Sequence, residues 1–216
     1  MTNIRLRYQT IEFGETDIHL CTLRDKQQYQ DLDDIAGKLG INSALWPIFG
    51  VVWPSSIVLA QFIAEYNIDA KRILEVGCGI ALPSLLLNSM HADITATDYH
   101  PEVESFLERN TSLNSNFGIP FERSDWANKN DQLGTFDLIM GSDLLYEDQH
   151  IKLLSRFIDY HAKRTCEIIL VDPGRGRKNK MKIAMSELGY TSSDQKLPHQ
   201  RISEPEFKGH IIKFVR

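Results

Sequence analysis

Apolar and polar positions alternate at the start of the chain. Ile4, Leu6 and Tyr8 point one way and Arg5 and Arg7 the other, as in a strand with one covered face. Turn residues Phe13-Gly14-Glu15-Thr16-Asp17 follow, and Ile18-His19-Leu20-Cys21-Thr22-Leu23 resumes the extended pattern, so a β-hairpin is predicted. Lys26 to Lys38 is polar and acidic, predicting a short helix and loop. Leu45 to Ser56 carries two Trp-Pro pairs, in which proline fixes φ and pushes the preceding tryptophan into an extended conformation. Ser55 or Ser56 is then placed to cap a helix through Ile57, Leu59, Phe62 and Ile63.

From Arg72 onward short apolar runs alternate with helical periodicity. The runs are Ile73–Val76, Asp93–Asp98, Phe121–Trp126, Phe136–Asp143 and Glu167–Asp172. Between them lie helices begun by Leu82-Pro83, Pro101 and Tyr146. A last helix to about Gly189 and strand-like stretches at Tyr190-Thr191-Ser192 and His210–Val215 complete the pattern. Alternating strands and helices predict an open parallel sheet with helices on both faces. Residues 1–45 read as a β-hairpin and helical extension, and 46–216 as the main domain.

The stretch that carries chemistry is Glu75-x-Gly77-x-Gly79 after the first of these strands. Glycines let the backbone turn and approach a ligand with no side chain in the way. Asp98 ends the next strand about 20 residues on, the spacing at which a βαβ unit places a carboxylate on ribose hydroxyls. A dinucleotide fingerprint would need glycine at 82, where this chain has Leu82. Glu75 would be misplaced beside a diphosphate and suits a cationic ligand. In sheets of this kind ligands lie beyond the carboxyl ends of the strands. Glu75, Asp98, Asp125, Asp143 and Asp172 all fall near those ends. Five acids on one rim repel unless the rim meets cations, such as a sulfonium and an amine.

The 216 residues suffice for one α/β domain plus a modest extension. No apolar run is read as long enough to span a membrane, and the first residues do not read as a signal peptide. Three cysteines without a Cys-x-x-Cys indicate neither a disulfide framework nor a metal site, and lead to the expectation of a reducing, cytoplasmic location. A net charge of −5 argues against nucleic acid as partner. Arg175, Arg177, Lys178, Lys180 and Lys182 cluster at a predicted helix start, where the helix dipole disfavours cations. Two readings stand for them: a solvated loop, or a docking site for acidic surface on a protein partner.

Glu75-x-Gly77-x-Gly79 with Asp98 resembles the cofactor loop of class I, seven-β-strand S-adenosylmethionine (SAM) methyltransferases. Asp143-x-x-Tyr146, with Trp53-Pro54 upstream, resembles the protein-lysine methyltransferases of methyltransferase family 16. Val171-Asp172-Pro173-Gly174-Arg175 looks like the members acting on the electron-transfer flavoprotein β-subunit. The Trp53-Pro54…Val58-Leu59-Ala60-Gln61 stretch is closer to a branch acting on histone arginine.

The resemblance covers roughly Trp46 to Arg175 and implies a Rossmann-like sheet of seven mostly parallel strands. It implies SAM as cofactor, lined by Trp53, Glu75, Gly77, Gly79, Asp98, Asp125, Trp126 and Ser142, with Asp143 and Tyr146 facing a protein lysine. Core packing of Trp46 and Trp53 and helix N-capping by Asp143 are the structural alternatives. Arginine, a small molecule, or a catalytically silent SAM-binding module are the functional ones. A nicotinamide dehydrogenase ranks low, since Leu82 replaces a needed glycine.

Overall fold

The computed structural model describes residues 4–26, 35–41, 46–115, 117–127, 131–196 and 207–216. The hairpin forms as the alternation predicts: β1 (Leu6–Phe13) pairs antiparallel with β2 (Thr16–Leu23), from Leu6 opposite Leu23 to Phe13 opposite Thr16. Gly14, at φ +62°, opens the two-residue turn at an angle that favours glycine. The predicted phase fails at Tyr8, which is 65% exposed. The turn fixes the register instead so that Ile11 and Phe13 pack against the core. Most of the predicted 26–38 element lies outside the described residues; α1 is the four-residue turn Ile35–Lys38.

Trp46–Gly50 forms a 3₁₀ turn and Pro54–Ala64 forms α2. The expected serine cap is absent. Trp53 occupies the N-cap with extended backbone, and Pro54 follows in the first turn, where its missing N–H is not needed. Ser55 is buried and the Ser56 hydroxyl donates back to the Trp53 carbonyl. The 19-residue stretch Trp46–Ala64 contains an 18-residue window of mean hydropathy 1.6, so one stretch does reach the length and apolarity of a membrane span, contrary to the sequence reading. In this fold it is divided between two elements, with 56% of it buried in the protein.

The main sheet holds β3 (Arg72–Val76), β4 (Asp93–Asp98), β5 (Phe121–Arg123), β6 (Phe136–Ser142), β7 (Ala162–Asp172), β8 (Thr191–Lys196) and β9 (His210–Val215). Its order is β5-β4-β3-β6-β7-β9-β8, parallel from β5 to β7, with β9 antiparallel to both its neighbours. This is the seven-stranded, mostly parallel α/β sheet that the resemblance implies. The third strand is shorter than predicted, ending at Arg123, and its pairing with β4 closes with the Ser124 N–H donating to the Asp98 carbonyl.

Helices α3 (Leu82–Ser89), α4 (Val103–Leu113), α5 (Asp148–His161) and α6 (Lys178–Glu187) complete two layers. Alternate strand residues feed separate cores. Ile73, Leu138, Met140, Ile169 and Val171 pack with α2, α3, α4 and the hairpin. Leu74, Val76, Ile139, Ile168 and Leu170 pack with α5 and α6. Both faces of the sheet are thus covered, as buried parallel strands require.

The hairpin is fastened by two asparagines, Asn110 on α4 and Asn114 at its C-cap. Asn114 accepts from the His19 N–H and donates to the His19 carbonyl, both at 2.8 Å, and buried Asn110 accepts from the Cys21 N–H at 2.7 Å. These amides satisfy the edge of β2 that no strand among the described residues pairs with. Asn110→Ala should therefore leave a buried N–H unsatisfied and destabilise the fold by about 1–3 kcal/mol. Urea unfolding measures the loss, and faster amide exchange at Cys21 localises it.

Candidate functional site

Parallel β3, β4 and β6 deliver their carboxyl ends to one rim, and β3 sits centrally between strands whose connections leave in opposite directions. The backbone turns sharply after Val76: Gly77 has φ +62° and Gly79 has φ +53°. A side chain at Gly77 would come within 2.5 Å of Leu144 Cδ2, so this glycine is demanded by packing as well as by φ. A Cβ on Gly79 would come within 3.0 Å of the Phe49 carbonyl oxygen. The 3₁₀ turn therefore closes one side of the loop.

Asp98, half-buried at the end of β4, accepts the Gly79 N–H on Oδ2 and the His100 N–H on Oδ1, both at 2.9 Å. Burial pushes its pKa up, while these backbone donors pull it down. A carboxylate offers about four acceptor positions. The remaining acceptor capacity suits a ligand whose hydroxyls donate, so this carboxylate fits a ribose. The acidic surroundings fit a cationic sulfonium better than a diphosphate.

Glu75 behaves differently from its neighbours at the rim. It is 1% exposed, and its Oε2 accepts the Ser84 N–H at 2.9 Å and the Ser84 hydroxyl. Ala81 holds the N-cap of α3 with no side-chain capping bond. Glu75 supplies that missing acceptor from β3, at the positive end of the helix. Desolvation, set against the two Ser84 bonds, pushes Glu75 up to about 8.

After β6 the backbone bends at Asp143, which adopts φ +58° while its N–H donates to the Val171 carbonyl. Its carboxylate is gripped at two points by Arg175, Nε to Oδ1 at 2.5 Å and Nη2 to Oδ2 at 2.9 Å. Tyr146 is 41% exposed, yet desolvation and the charges of Asp98, Glu147 and Asp143 raise its pKa to about 12. Tyr146 therefore lies within electrostatic reach of both Asp98 and Asp143. Its ring stands edge-on to His150, which stands edge-on to Trp126 in turn. A Cβ on Gly77 would also lie 3.9 Å from Trp126.

The rim thus brings together Gly77, Gly79, Asp98, Trp126, Ser142, Asp143 and Tyr146. Three expected site residues are turned elsewhere. Glu75 faces α3. Asp125 is exposed and accepts the Ala127 N–H in a local turn. The Trp53 indole N–H donates to the Ile48 carbonyl, and Lys26 lies over its ring at 4.3 Å. Trp46 is core, edge-on to Phe49 and tilted against His100. Leu144 and His150 belong to the site without having been singled out. The only trace of His150 in the sequence is its position one helical turn after Tyr146.

The basic cluster finds its explanation inside the chain. Arg177 and Lys180 both bind Asp148, and Lys178 and Lys182 both bind Asp194. Acids at the starts of α5 and along β8 thereby offset cations at the positive end of α6. An acidic partner would have to compete with them.

A family model described as lysine methyltransferase matches residues 42–187. The protein-lysine methyltransferase METTL21E of Bos taurus is 30% identical over 147 residues, covering 62% of this chain and 50% of that protein. The histone-arginine methyltransferase METTL23 of Xenopus laevis is 34% identical over 118 residues, covering 50% of each. The chain thus spans half the length of these two curated relatives. A solved ribosomal protein L11 methylase from Lactobacillus delbrueckii subsp. bulgaricus shares the fold at a TM-score of 0.63 and 18% identity, covering 97% of this chain and 98% of that one.

Glu75 also predicts a pH dependence. Its folded pKa of about 8 exceeds the ordinary 4.5, so the folded state holds a proton that the unfolded chain releases between these values. Its contribution is fully present below pH 4.5 and is lost as pH rises through 8. Glu75→Gln, which keeps an acceptor for the Ser84 N–H, should flatten the decline in stability across that window. Unfolding midpoints measured from pH 5 to pH 8.5 check this.

Proposed function

Since the chain belongs to the lysine methyltransferase family, we propose that it transfers a methyl group from SAM to a lysine side-chain amine of another protein. The observation that most supports this reading is the rim itself. Asp98 there keeps acceptor capacity for a ribose, within electrostatic reach of a tyrosine that also feels Asp143. Asp98, Gly77, Gly79, Trp126 and Ser142 would hold the cofactor. Glu75 would act from behind by fixing α3. When bound, SAM supplies a methyl carbon activated by a sulfonium.

The acceptor nitrogen must be neutral to attack, and a free lysine has a pKa of about 10.4. A carboxylate beside the amine raises that value. Asp143 therefore orients the amine and is not its base, and alignment supplies most of the rate. Tyr146, with its pKa pushed up to about 12, keeps its proton at neutral pH and serves as a hydrogen-bonding hydroxyl. We take residues 46–216 as the catalytic unit, 1–45 as an extension whose hairpin is fastened to the α4 region, and the cytoplasm as the location.

One observation favours a second reading, an arginine acceptor. Asp143 holds a guanidinium at two points in this structure, and a relative carries the name histone-arginine methyltransferase. Incubation with labelled SAM and a cell lysate, followed by mass spectrometry, separates the two. Label on lysine supports the proposal, and label confined to arginine, RNA or a small molecule overturns it.

The roles also divide by position. Asp98→Ala should weaken SAM binding by about 1–3 kcal/mol through loss of a charged hydrogen-bond acceptor. Asp143→Ala should leave calorimetric SAM affinity nearly unchanged while methyl transfer falls. A folded Asp143→Ala protein that no longer binds SAM would reverse these assignments.

A further inference from the structure

The grip of Arg175 on Asp143 is one half of a larger arrangement. Asp172, at the end of β7, is 1% exposed. Its Oδ2 accepts the Gly174 N–H at 3.0 Å, whereas its Oδ1 is buried with no hydrogen-bond donor. Asp143 and Arg175 both act on its charge at close range. The guanidinium itself pairs with Asp143, while Asp172, at the end of the neighbouring strand, keeps an unsatisfied oxygen. An uncompensated buried acceptor of this kind has a standing tendency to take up a donor.

The cation that fills the place arrives on a loop suited to leaving it. Arg175 lies between Gly174 at φ +98° and Gly176 at φ +79°, and a Cβ at either glycine would meet nothing within 4 Å. The Arg175 side chain is 40% exposed, while that of Asp143 is 12% exposed. Two-point geometry makes the pair specific, but exposure at the arginine end keeps it weak enough to exchange.

We propose that Asp143 forms a cation-binding site, occupied by the chain's own Arg175, and that an acceptor ammonium enters by displacing this guanidinium. Arg175 is then a built-in competitor that sets how tightly a cationic acceptor binds. The apparent affinity for the acceptor is reduced by the fraction of molecules in which Arg175 fills the site. The identity of the acceptor as a lysine rests on the function proposed above; the cation site does not.

The test separates these two claims. Methylguanidinium is titrated into wild type, Arg175→Ala, Arg175→Gln, Arg175→Lys and the double variant Arg175→Ala/Asp143→Asn, with the amide signals of Asp143 and Gly174 followed by NMR. Saturable shifts are expected in the Ala and Gln variants. None are expected in wild type or the Lys variant, where a cation is retained, or in the double variant, where the acid is gone. With a lysine peptide that the wild type methylates, Arg175→Ala should lower KM severalfold while kcat changes less. Absence of shifts in both the Ala and Gln variants, or equal shifts in the double variant, overturns the cation site. A KM that does not fall, with kcat reduced, overturns displacement and makes Arg175 a positioning residue for Asp143. Saturable methylguanidinium binding with no peptide methylated by any variant supports the cation site and overturns only the lysine reading.

Discussion

A carboxylate held by two backbone N–H groups is the interaction on which the rest of the rim depends. Asp98 joins the end of β4 to the glycine loop through Gly79 and to the start of the following helix through His100. The same strand end accepts the Ser124 N–H on its carbonyl, and the Cys78 N–H donates to the Thr97 carbonyl. Two strand-to-helix connections and the start of the loop after β5 are thereby tied at one point. Side-chain size is then constrained around them: Leu144 fills the space that a Cβ at Gly77 or Gly141 would occupy. The glycine loop is preorganised by the protein's own packing before any ligand is considered.

The concentration of acids at that rim poses an electrostatic problem that the fold solves residue by residue. Glu75 is neutralised by burial and used as an internal helix cap. Asp98 is stabilised by backbone dipoles. Asp143 takes a guanidinium, Asp172 takes one backbone donor and keeps an open oxygen, and Asp125 stays in water. The sheet topology, with β3 at the centre of the parallel strands, is what converges these groups.

Much of this was legible in the sequence, for identifiable reasons. Strand and helix periodicity is local, so the order of elements from Arg72 onward could be read directly. The interval from Gly79 to Asp98 is fixed by one βαβ crossover, so the loop and its acid could be paired. Glu75 was placed beside a ligand because spacing says nothing about which way a buried acid turns. Its partner Ser84 could have been suspected only from the absence of a capping side chain at Ala81. The grip of Arg175 on Asp143, 32 residues apart, and the asparagine clasp on the hairpin, 89 to 95 residues apart, are tertiary contacts with no local signature. Tyr8 and the α2 cap were misread for smaller reasons: a turn set the register of one strand, and Pro54 displaced a serine at the helix start.

The central claim is that the acidic, glycine-walled rim is built for a cationic nucleoside ligand and not for a dinucleotide. Titration calorimetry of the wild-type protein with SAM and, separately, with NAD measures this most directly. The account predicts saturable one-site binding of SAM and no heat attributable to NAD. Binding of NAD without binding of SAM would contradict it.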